Sequence, residues 1–378
     1  MSSGKAWRNE WFASLAFDIF GMRVAILTPT FSRFSGIDIA ARDQAVELSE
    51  RGADVTLVAL AADMEPPANV NVEVVGMPGH LLWQRMYRLL IFLDIIKMLN
   101  CTRRLKDCDL VVSHQYPMNW LAYLTKRRYG VRYLYYNHGI TPPSVFPSLW
   151  QRCYMRVFNA LSNWTSGRAD AAISISEYAR QQLREATGIE SELRYRTADE
   201  AKFHKGVEGR QIRVEHGLGD APVILYVGRL SPHKGVHLLL QAFQLVRDRM
   251  PSARLVIVGK RTFSKYAKQL DRMSDSAVVF AGYVPDEALP SYYAACDVYA
   301  TATLWEGFDL PVAEAQACGK PVVAFDIGPH REVVDERGIL VRNGDVPAFA
   351  VAISGLLRRS RSNEIGLATR IADLPEGN

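Results

Sequence analysis

The segment that most constrains the fold runs from residue 223 to residue 243 and reads VILYVGRLSPHKGVHLLLQAF. Its first five residues, Val223–Val227, form a short apolar run, which is typical of a buried parallel strand. From Val236 onward, the apolar residues recur at helical spacing. A strand, a loop and a helix in this order predict an α/β fold built around a parallel sheet.

The loop between this strand and this helix carries two cations, Arg229 and Lys234, flanked by Gly228 and Gly235. Open α/β sheets bind ligands at the carboxyl ends of their strands, so this loop is a candidate ligand site. A guanidinium offers a planar pair of donors to phosphate oxygens, and an ammonium offers a point charge. Gly235 is interpreted as a place where backbone approaches closely. The alternative is that both cations are solvated surface residues.

A second segment, LWEGFDLPVAEAQACGKPVV, is predicted to be a loop that turns into a helix. Pro311 suits the first turn of a helix, so Glu314 is expected in that turn and Glu306 in the loop before it. Backbone amides at a helix start bind anions, and the two carboxylates can accept hydrogen bonds from sugar hydroxyls. The pattern therefore indicates a nucleotide-sugar site, with ordinary helix capping as the alternative.

Composition sets broader bounds. A length of 378 residues favours two domains, and 48% hydrophobic with 22% charged residues is typical of globular proteins. The five cysteines form no CxxC pair, which fits a reducing cytoplasm better than a disulfide framework. No apolar run reaches the length of about 18 residues that indicates a membrane-spanning helix. The basic residues lack interleaved aromatics, so nucleic acid is not an expected partner.

The first domain is predicted to begin near Met22, after an N-terminal extension at residues 1–21. A strand at Arg23–Leu27, a helix and a second strand predict a parallel βαβ unit. Further strands are predicted at Asp109–Ser113 and Arg132–Tyr136.

Two histidines follow these later strands. His138, in YYNHGI, stands at the carboxyl end of its strand and is expected to face a ligand cleft. His114, in VVSHQYP, is interpreted as lining the same cleft. A structural histidine is the alternative at both positions.

The motifs EGFDLPVAE and GRLSPHKG, followed by GPHREVV and GILVRNGD, together resemble the retaining glycosyltransferases of family 4, or glycosyl transferases group 1. The resemblance is strong from Val223 to about Asp345 and weaker before that. It implies the α/β fold class called GT-B, with two Rossmann-like domains whose parallel sheets face each other across a cleft. Residues 22–200 would form the acceptor-binding domain, and residues 201–378 the nucleotide-sugar-binding domain.

The resemblance also implies a role for each site residue. Arg229 and Lys234 would hold the donor diphosphate, Glu306 and His138 would contact the donor sugar, and these four are the expected catalytic residues. Glu314 would bind the ribose. The other expected donor-binding residues are Gly36, Gly228, Gly282, Tyr283, Val284, Gly307, Phe308, Asp309 and Leu310. No metal or other cofactor is expected, because the two cations take the place of a metal and the leaving group can accept the acceptor's proton.

The chain departs from the family pattern at several points. Ser35, Asp309 and Pro329 stand where the family commonly has glycine. The Asp309 carboxylate would repel a diphosphate, so it is expected to turn away from the phosphates or to bond a sugar hydroxyl. Residues 196–220 are interpreted as a polar, Gly-rich linker, and the last helix is predicted at Pro347–Leu357.

The resulting hypothesis is retaining transfer of a sugar from a nucleotide-sugar donor to a lipid-linked or polysaccharide acceptor. A nucleotide-sugar epimerase on the same fold and a non-catalytic binding subunit are the alternatives. Residues 83–106 combine cations with an apolar stretch, which indicates either contact with an anionic membrane surface or a core helix. Residues 1–21 are interpreted as an interfacial helix, or as lying upstream of a true start at Met22. The expected location is the cytoplasm, at the inner face of the cell membrane if such contact occurs.

Overall fold

The computed structural model describes residues 19–33, 35–146 and 148–372. The chain divides into two compact units, Met1–Tyr195 and Arg196–Asn378. The sequence predicts this division five residues later, between 200 and 201. Most of the predicted N-terminal extension, residues 1–18, lies outside the described residues.

In the described part of the first unit, seven parallel strands form one sheet. They are β1 Arg23–Thr28, β2 Asp54–Ala59, β3 Val70–Val74, β4 Leu110–Ser113, β5 Arg132–Asn137, β6 Ala171–Ser174 and β7 Glu192–Leu193. Their order across the sheet is β3-β2-β1-β4-β5-β6-β7. The strands predicted from the sequence are confirmed, with ends that differ by one residue.

The second unit has a six-stranded parallel sheet among its described residues. Its strands are β8 Val223–Val227, β9 Arg254–Val258, β10 Val278–Gly282, β11 Val298–Thr301, β12 Val322–Asp326 and β13 Ile339–Arg342. They lie in the order β10-β9-β8-β11-β12-β13. Each unit thus has a parallel sheet whose strands are connected by helices. This confirms the predicted α/β class with two Rossmann-like domains.

Helices connect the strands in both units. In the first unit they are α1 Gly36–Glu50, α2 Leu81–Leu89, α3 Ile95–Arg104, α4 Met118–Tyr129, α5 Leu149–Ser166 and α6 Glu177–Thr187. In the second they are α7 Arg210–Glu215, α8 Val236–Arg247, α9 Ser264–Arg272, α10 Leu289–Ala295, α11 Leu310–Ala317, α12 His330–Val333 and α13 Val346–Ala372. Single 3-10 turns lie at Ile91–Leu93, Pro143–Val145 and Pro232–Lys234.

Strand β8 is apolar throughout because both of its faces are buried. Ile224 and Tyr226 join one core cluster, and Val223 and Leu225 join another on the opposite face. Each fully buried aliphatic side chain of this kind contributes roughly 1.5–3 kcal/mol of hydrophobic stabilisation. The uninterrupted apolar run was therefore a sound predictor of this strand.

The first strand of each unit lies where the strand order reverses. Strand β1 pairs with β2 on one side and β4 on the other, and β8 pairs with β9 and β11. Crevices for ligands open at such reversal points, beyond the carboxyl ends of the strands. The loop after β8, which contains Arg229 and Lys234, begins at this point in the second unit.

Two predictions about the second unit were wrong. The segment predicted as a linker, residues 196–220, contains helix α7 and buries Phe203 and Ile212 in a core cluster. Gly209 serves close packing there, because a Cβ on it would lie 2.2 Å from the Ala295 amide nitrogen. The last helix is not limited to Pro347–Leu357 but extends over Val346–Ala372, and its first turns pack on the core through apolar residues.

Candidate active site

The two motifs singled out in the sequence are joined by hydrogen bonds in the second unit. The Leu304 amide donates to the His233 carbonyl oxygen at 2.8 Å, and the Thr303 hydroxyl oxygen lies 3.3 Å from the same oxygen. Gly235 has a positive φ of 65°, and a Cβ there would lie 1.8 Å from the Ala302 carbonyl oxygen. The predicted close approach at Gly235 is thus present, and it brings the loop after β8 against the end of β11.

This contact places Lys234 beside Glu306. The Lys234 ammonium forms an ion pair with Oε1 of Glu306, and the Thr303 hydroxyl donates to that oxygen at 3.2 Å. The two side chains are only 17% and 12% exposed. Burial raises the pKa of Glu306, and the Lys234 ammonium opposes that shift. Lys234, an expected diphosphate ligand, and Glu306, an expected sugar ligand, therefore meet in a largely buried environment.

The other residues of the loop after β8 have surroundings that differ from those of Lys234. Arg229 is exposed, and its guanidinium makes no hydrogen bond or ion pair with the residues that the structure describes. Burial, together with the charges of Lys234 and Arg229, lowers the pKa of His233 to about 3, so its imidazole is neutral. Gly228 has a φ of 154°, and a Cβ there would crowd the Tyr226 hydroxyl at 2.8 Å.

Helix α11 begins one residue earlier than its proline suggests. Asp309 is the N-cap and adopts a left-handed conformation with φ 71°, Leu310 is the first helical residue, and Pro311 is the second. Glu314 is consequently the fifth residue of the helix, and its expected position in the first turn was wrong. Gly307 and Phe308 precede the cap, and the Phe308 side chain is buried.

Glu314 nevertheless lies inside the site. Its Oε2 accepts a hydrogen bond of 2.7 Å from the hydroxyl of Tyr293, a residue of α10. Only 8% of Glu314 is exposed, and burial raises its pKa to about 7 although the Tyr293 hydroxyl opposes the shift. The carboxylate is thus fixed by one donor and is close to half protonated at neutral pH.

The side chain of Asp309 is buried. Its Oδ2 lies 3.0 Å from Nε2 of His330, and Nδ1 of His330 lies 2.7 Å from the Phe325 carbonyl oxygen. Both residues are buried. Burial alone would raise the pKa of Asp309, but the hydrogen bond from His330 and the charge of Lys234 lower it. His330 follows Pro329, one of the positions where glycine is common in the resembled family.

The residues expected near the donor base lie at the carboxyl end of β10. Gly282 has a φ of 74° and open space around its Cα, while the Tyr283 side chain is 45% exposed. The Val284 side chain is buried in a core cluster, so only its backbone can face a ligand. The Gly259 amide donates to the Gly282 carbonyl oxygen at 2.7 Å and fixes this end of the strand.

In the first unit, His138 is the end of a chain of buried polar groups. Its Nε2 lies 2.9 Å from Nδ1 of His114, whose Nε2 lies 2.8 Å from Oε1 of Gln44. An amide oxygen only accepts, so His114 donates to Gln44, and neutral His114 accepts from His138. His114 is fully buried. It lies behind His138 rather than lining a surface, which corrects its sequence-based interpretation.

Gly36 is the first residue of α1, and a Cβ on it would meet open space. Ser35 caps this helix by accepting from the Asp38 amide at 3.4 Å. The Asp38 carboxylate accepts from the hydroxyls of Thr28 and Thr30 at 2.8 and 2.7 Å, which ties the loop after β1 to the helix. The serine found where the family commonly has glycine therefore has a capping role.

Family models match both halves of the chain. The model for Glycosyltransferase Family 4 matches residues 34–195, and the model for Glycosyl transferases group 1 matches residues 221–359. The chain belongs to this glycosyltransferase family. The two matched regions contain every expected site residue, from Gly36 and His138 in the first unit to Glu314 in the second.

Curated relatives of this glycosyltransferase-family chain include two mannosyltransferases. A GDP-mannose-dependent alpha-(1-6)-phosphatidylinositol monomannoside mannosyltransferase of Mycolicibacterium smegmatis is 34% identical over 220 residues, which cover 53% of this chain and 57% of that protein. O-antigen chain mannosyltransferase B of Escherichia coli is 35% identical over 155 residues, 39% of this chain and 40% of that protein. The chain thus matches about half of these relatives' length.

Solved structures agree with the fold over a longer stretch. Anabaena HepE in complex with UDP-glucose has a TM-score of 0.71 at 18% identity and covers 93% of this chain and 100% of its own. WaaG, a glycosyltransferase involved in lipopolysaccharide biosynthesis, has a TM-score of 0.72 at 16% identity, with 93% and 96% coverage. The fold of this family member is that of the GT-B glycosyltransferases.

Sequence reasoning missed several residues of the site. His330, Gln44 and Tyr293 make the hydrogen bonds that hold Asp309, His114 and Glu314, respectively. Only His330 left a signal, because a carboxylate at Asp309 beside a loop expected to bind phosphate calls for a nearby cation. Gln44 lies mid-helix and Tyr293 lies in an apolar helix, where neither has a distinguishing pattern.

Proposed function

We propose that this chain transfers a hexose from a nucleotide-sugar to an acceptor, with retention of the anomeric configuration and without a metal ion. The observation that carries the proposal is the Lys234–Glu306 ion pair beside the start of α11. An ammonium suits a diphosphate, a carboxylate suits sugar hydroxyls, and a helix start suits further phosphate oxygens. All three lie beyond the carboxyl ends of adjacent strands β8 and β11.

The chemistry follows from where charge develops. As the bond between the sugar and the diphosphate breaks, negative charge grows on the leaving phosphate. Lys234, Arg229 and the amides at the start of α11 would stabilise that charge, and the leaving phosphate would accept the acceptor's proton. Fixed donors of this kind are worth about 2.7–4 kcal/mol each when removed singly. No protein base is part of the proposal.

The first donor to test is GDP-mannose, since one relative is named as GDP-mannose-dependent and a second relative is also a mannosyltransferase. UDP-glucose is the second, because a structural neighbour binds it. A lipid-linked or polysaccharide acceptor is proposed on the same grounds. The test is to incubate the purified chain with each donor and a lipid extract, and to follow nucleotide release and the anomeric configuration of the product by NMR. An inverted product would overturn retention, and no release with any donor would overturn the proposal.

Metal independence has its own test. Turnover is expected to persist after the chain and buffers are stripped with EDTA, because Lys234 and Arg229 supply positive charge at the diphosphate. A loss of turnover that Mg²⁺ or Mn²⁺ restores would contradict this part of the proposal.

The epimerase alternative depended on Asp309 as a surplus acid or base. That carboxylate is 6% exposed and bonded to His330, so no observation favours the alternative. Analysis of the sugar after incubation without acceptor distinguishes the two reactions. The non-catalytic alternative predicts nucleotide binding with no turnover in the same assay.

We also propose contact with an anionic membrane surface through α2 and α3. Among the described residues, no helix has the length and apolar character to cross a bilayer. However, Trp83, Leu93, Ile95 and Ile96 are between 62% and 76% exposed. Exposed cations accompany them, namely Arg85, Arg103, Arg104 and Lys106. Large apolar side chains next to cations are the combination that binds acidic lipid surfaces.

Helix α5 adds to this surface. The Tyr154 hydroxyl donates to the Arg85 carbonyl oxygen at 3.2 Å, so α5 lies beside α2, and its Leu149 and Trp150 are 76% and 69% exposed. The sequence left open whether residues 83–106 form a core helix. The structure buries Ile91, Met98 and Cys101, so part of the segment belongs to the core, and the exposed residues named above support the proposed contact.

Vesicle sedimentation tests the membrane proposal. The chain is expected to bind vesicles that contain phosphatidylglycerol and to bind pure phosphatidylcholine far less, and Ile96→Asp is expected to weaken the binding. Val214→Asp, at an apolar residue 74% exposed in the second unit, is the matched control. Equal sedimentation of wild type and Ile96→Asp would contradict this contact, and with it the proposed location at the inner face of the membrane.

A further inference from the structure

The contact between Asp309 and His330 fixes the number of protons that the two residues share. Nδ1 of His330 lies 2.7 Å from the Phe325 carbonyl oxygen, which only accepts, so Nδ1 carries a proton. Nε2 lies 3.0 Å from Oδ2 of Asp309. Two lone pairs do not face each other at that distance, so one further proton lies between these atoms. The pair is therefore either imidazolium with carboxylate or imidazole with carboxylic acid.

In both descriptions the net charge of the pair is zero. This matters because Asp309 is the cap of α11 and stands three residues after Glu306. A lone carboxylate there would offset the partial positive charge at the start of the helix and repel a bound diphosphate. The proton held by His330 removes that repulsion without removing the side chain.

We propose that His330 is a positioning residue for the donor, which neutralises Asp309 and holds its backbone in the left-handed conformation that starts α11. The inference rests on the proposed function, since it concerns how the start of α11 receives a diphosphate. His330 would not touch the donor itself. It would act through Asp309, because the backbone amides of Asp309 and Leu310 lie at the start of α11.

The surroundings of the pair are mixed in charge. Lys234 and Glu306 contribute a cation and an anion, Thr301 donates a hydrogen bond to Asp309, and Asp326 lies on the side of His330. Arg331 pairs with Asp326, and the phenols of Tyr226, Tyr293 and Tyr299 also interact with the charge of Asp309. Burial raises the pKa of each of these phenols, so they stay neutral over the range of interest.

The pair should therefore give up its proton only on the alkaline side. Burial would lower the pKa of His330, but the hydrogen bond to Asp309 and the charge of that carboxylate raise it above the ordinary value of about 6.5. As pH rises through that raised value, Asp309 becomes an uncompensated anion at the start of α11. Donor affinity should fall over the same range.

Two substitutions separate the proton from the packing. In His330→Asn, the asparagine amide nitrogen can take the place of Nδ1 and keep the bond to Phe325, while Asp309 loses its partner. In Asp309→Asn, the size and the tolerance of left-handed backbone are kept, and the amide can donate to Nε2 of neutral His330. The double variant has no buried charge at either position.

The test is the dissociation constant of GDP-mannose and of UDP-glucose, measured by calorimetry from neutral to alkaline pH with the full chain. His330→Asn should weaken binding about tenfold, the size of one charge-assisted hydrogen bond. The double variant should recover most of that loss, and Asp309→Asn should bind without the alkaline decline seen in wild type. His204→Asn, at an exposed histidine of the same unit, is the control.

The outcomes are distinct. If wild type binds and the double variant is as weak as His330→Asn, the inference is overturned while the proposed function stands. If Asp309→Asn keeps the alkaline decline, the inference is likewise overturned. If wild type binds neither nucleotide-sugar, the proposed function fails and the inference fails with it.

Discussion

The carbonyl oxygen of Ala302 lies 1.8 Å from the point where a Cβ on Gly235 would stand. This approach joins the end of β11 to the loop after β8. Because Lys234 precedes Gly235 and Glu306 follows Ala302 by four residues, the same approach brings the ammonium and the carboxylate into contact. The ion pair between Lys234 and Glu306 thus requires a residue without a side chain at position 235.

Gly235→Ala should separate the two loops. The added methyl group would overlap a backbone oxygen, which can only be relieved by moving one of the loops, and the left-handed φ of 65° adds strain. We expect a loss of roughly 1–3 kcal/mol in the free energy of unfolding and a loss of donor binding. Chemical denaturation and calorimetry measure the two effects.

Gly217→Ala is the matched control for that prediction. Gly217 has a similar φ of 60°, but a Cβ on it would meet nothing within 4 Å. It should show the strain of the left-handed backbone without the clash, and it should keep donor binding. Equal effects of the two substitutions would mean that the Ala302 contact is not what orders the site.

The pH dependence of donor binding should have an acidic limb set by Glu314. Burial raises the pKa of this carboxyl to about 7, and only the ionised form can accept two hydroxyl donors in addition to Tyr293. Affinity for a nucleotide-sugar should therefore rise as pH increases through about 7. Glu314→Gln should bind more weakly above that pH and should lack the acidic limb, as calorimetry at a series of pH values would show.

The raised pKa of Glu314 also predicts how the free energy of unfolding depends on pH. Its folded pKa is raised from 4.5 to about 7, so the protonated form is favoured by folding. This contribution is fully present below about 4.5 and is lost as pH rises to about 7. Over that interval the free energy of unfolding of wild type should fall relative to that of Glu314→Gln, by up to about 3 kcal/mol. A constant difference between the two proteins would contradict a buried carboxyl.

The chain of hydrogen bonds in the first unit predicts that Gln44 affects turnover through His114 and His138. Gln44→Leu removes the acceptor for His114, which is then free to take its other tautomer and to stop accepting from His138. The loss of one such bond is worth about 1 kcal/mol, so turnover should fall several-fold. Nitrogen-15 NMR of the histidine rings should show the change of tautomer, whereas Gln241→Leu, at an exposed glutamine of α8, should leave the rings unchanged. Unchanged ring shifts in Gln44→Leu would contradict the chain.

The packing of helix α13 predicts which substitution lowers the free energy of unfolding of the second unit. Phe349 is fully buried and its ring lies 4.9 Å from that of Phe325, whose carbonyl oxygen holds His330. Phe349→Ala should cost about 3–5 kcal/mol in the free energy of unfolding, because a large cavity would remain beneath β12. Val351→Ala, at a residue 53% exposed on the same helix, should cost little. Comparable losses for the two variants would contradict the packing of α13 on this core.

The strands could be predicted because burial on both faces leaves an unmistakable apolar run, as in Val223–Val227. The loop cations could be predicted because a strand that ends in a glycine and a turn places them at a sheet edge. The contact of Lys234 with Glu306 could not be predicted, because the two residues are 72 positions apart and the pairing of β8 with β11 brings them together.

Other features depended on backbone detail or on partners that leave no pattern. Pro311 fits either of the first two helical positions, and the structure uses the second, which moves Glu314 into the next turn. Glycines in residues 196–220 indicated a linker, although Gly209 is there for close packing. The contact of Asp309 with His330 was not predicted, because sequence reasoning did not single out His330.

The most direct test of the account is the effect of Lys234→Ala on donor binding and turnover, with Lys268→Ala, at an exposed lysine of α9, as the control. Removing the ammonium deprives the diphosphate of its buried cation and leaves Glu306 uncompensated. Turnover of the preferred nucleotide-sugar should fall by about 10²–10³ with the fold intact by circular dichroism, while Lys268→Ala stays at the wild-type rate. Turnover by Lys234→Ala within a few-fold of wild type would contradict the central claim that this ion pair is the donor site.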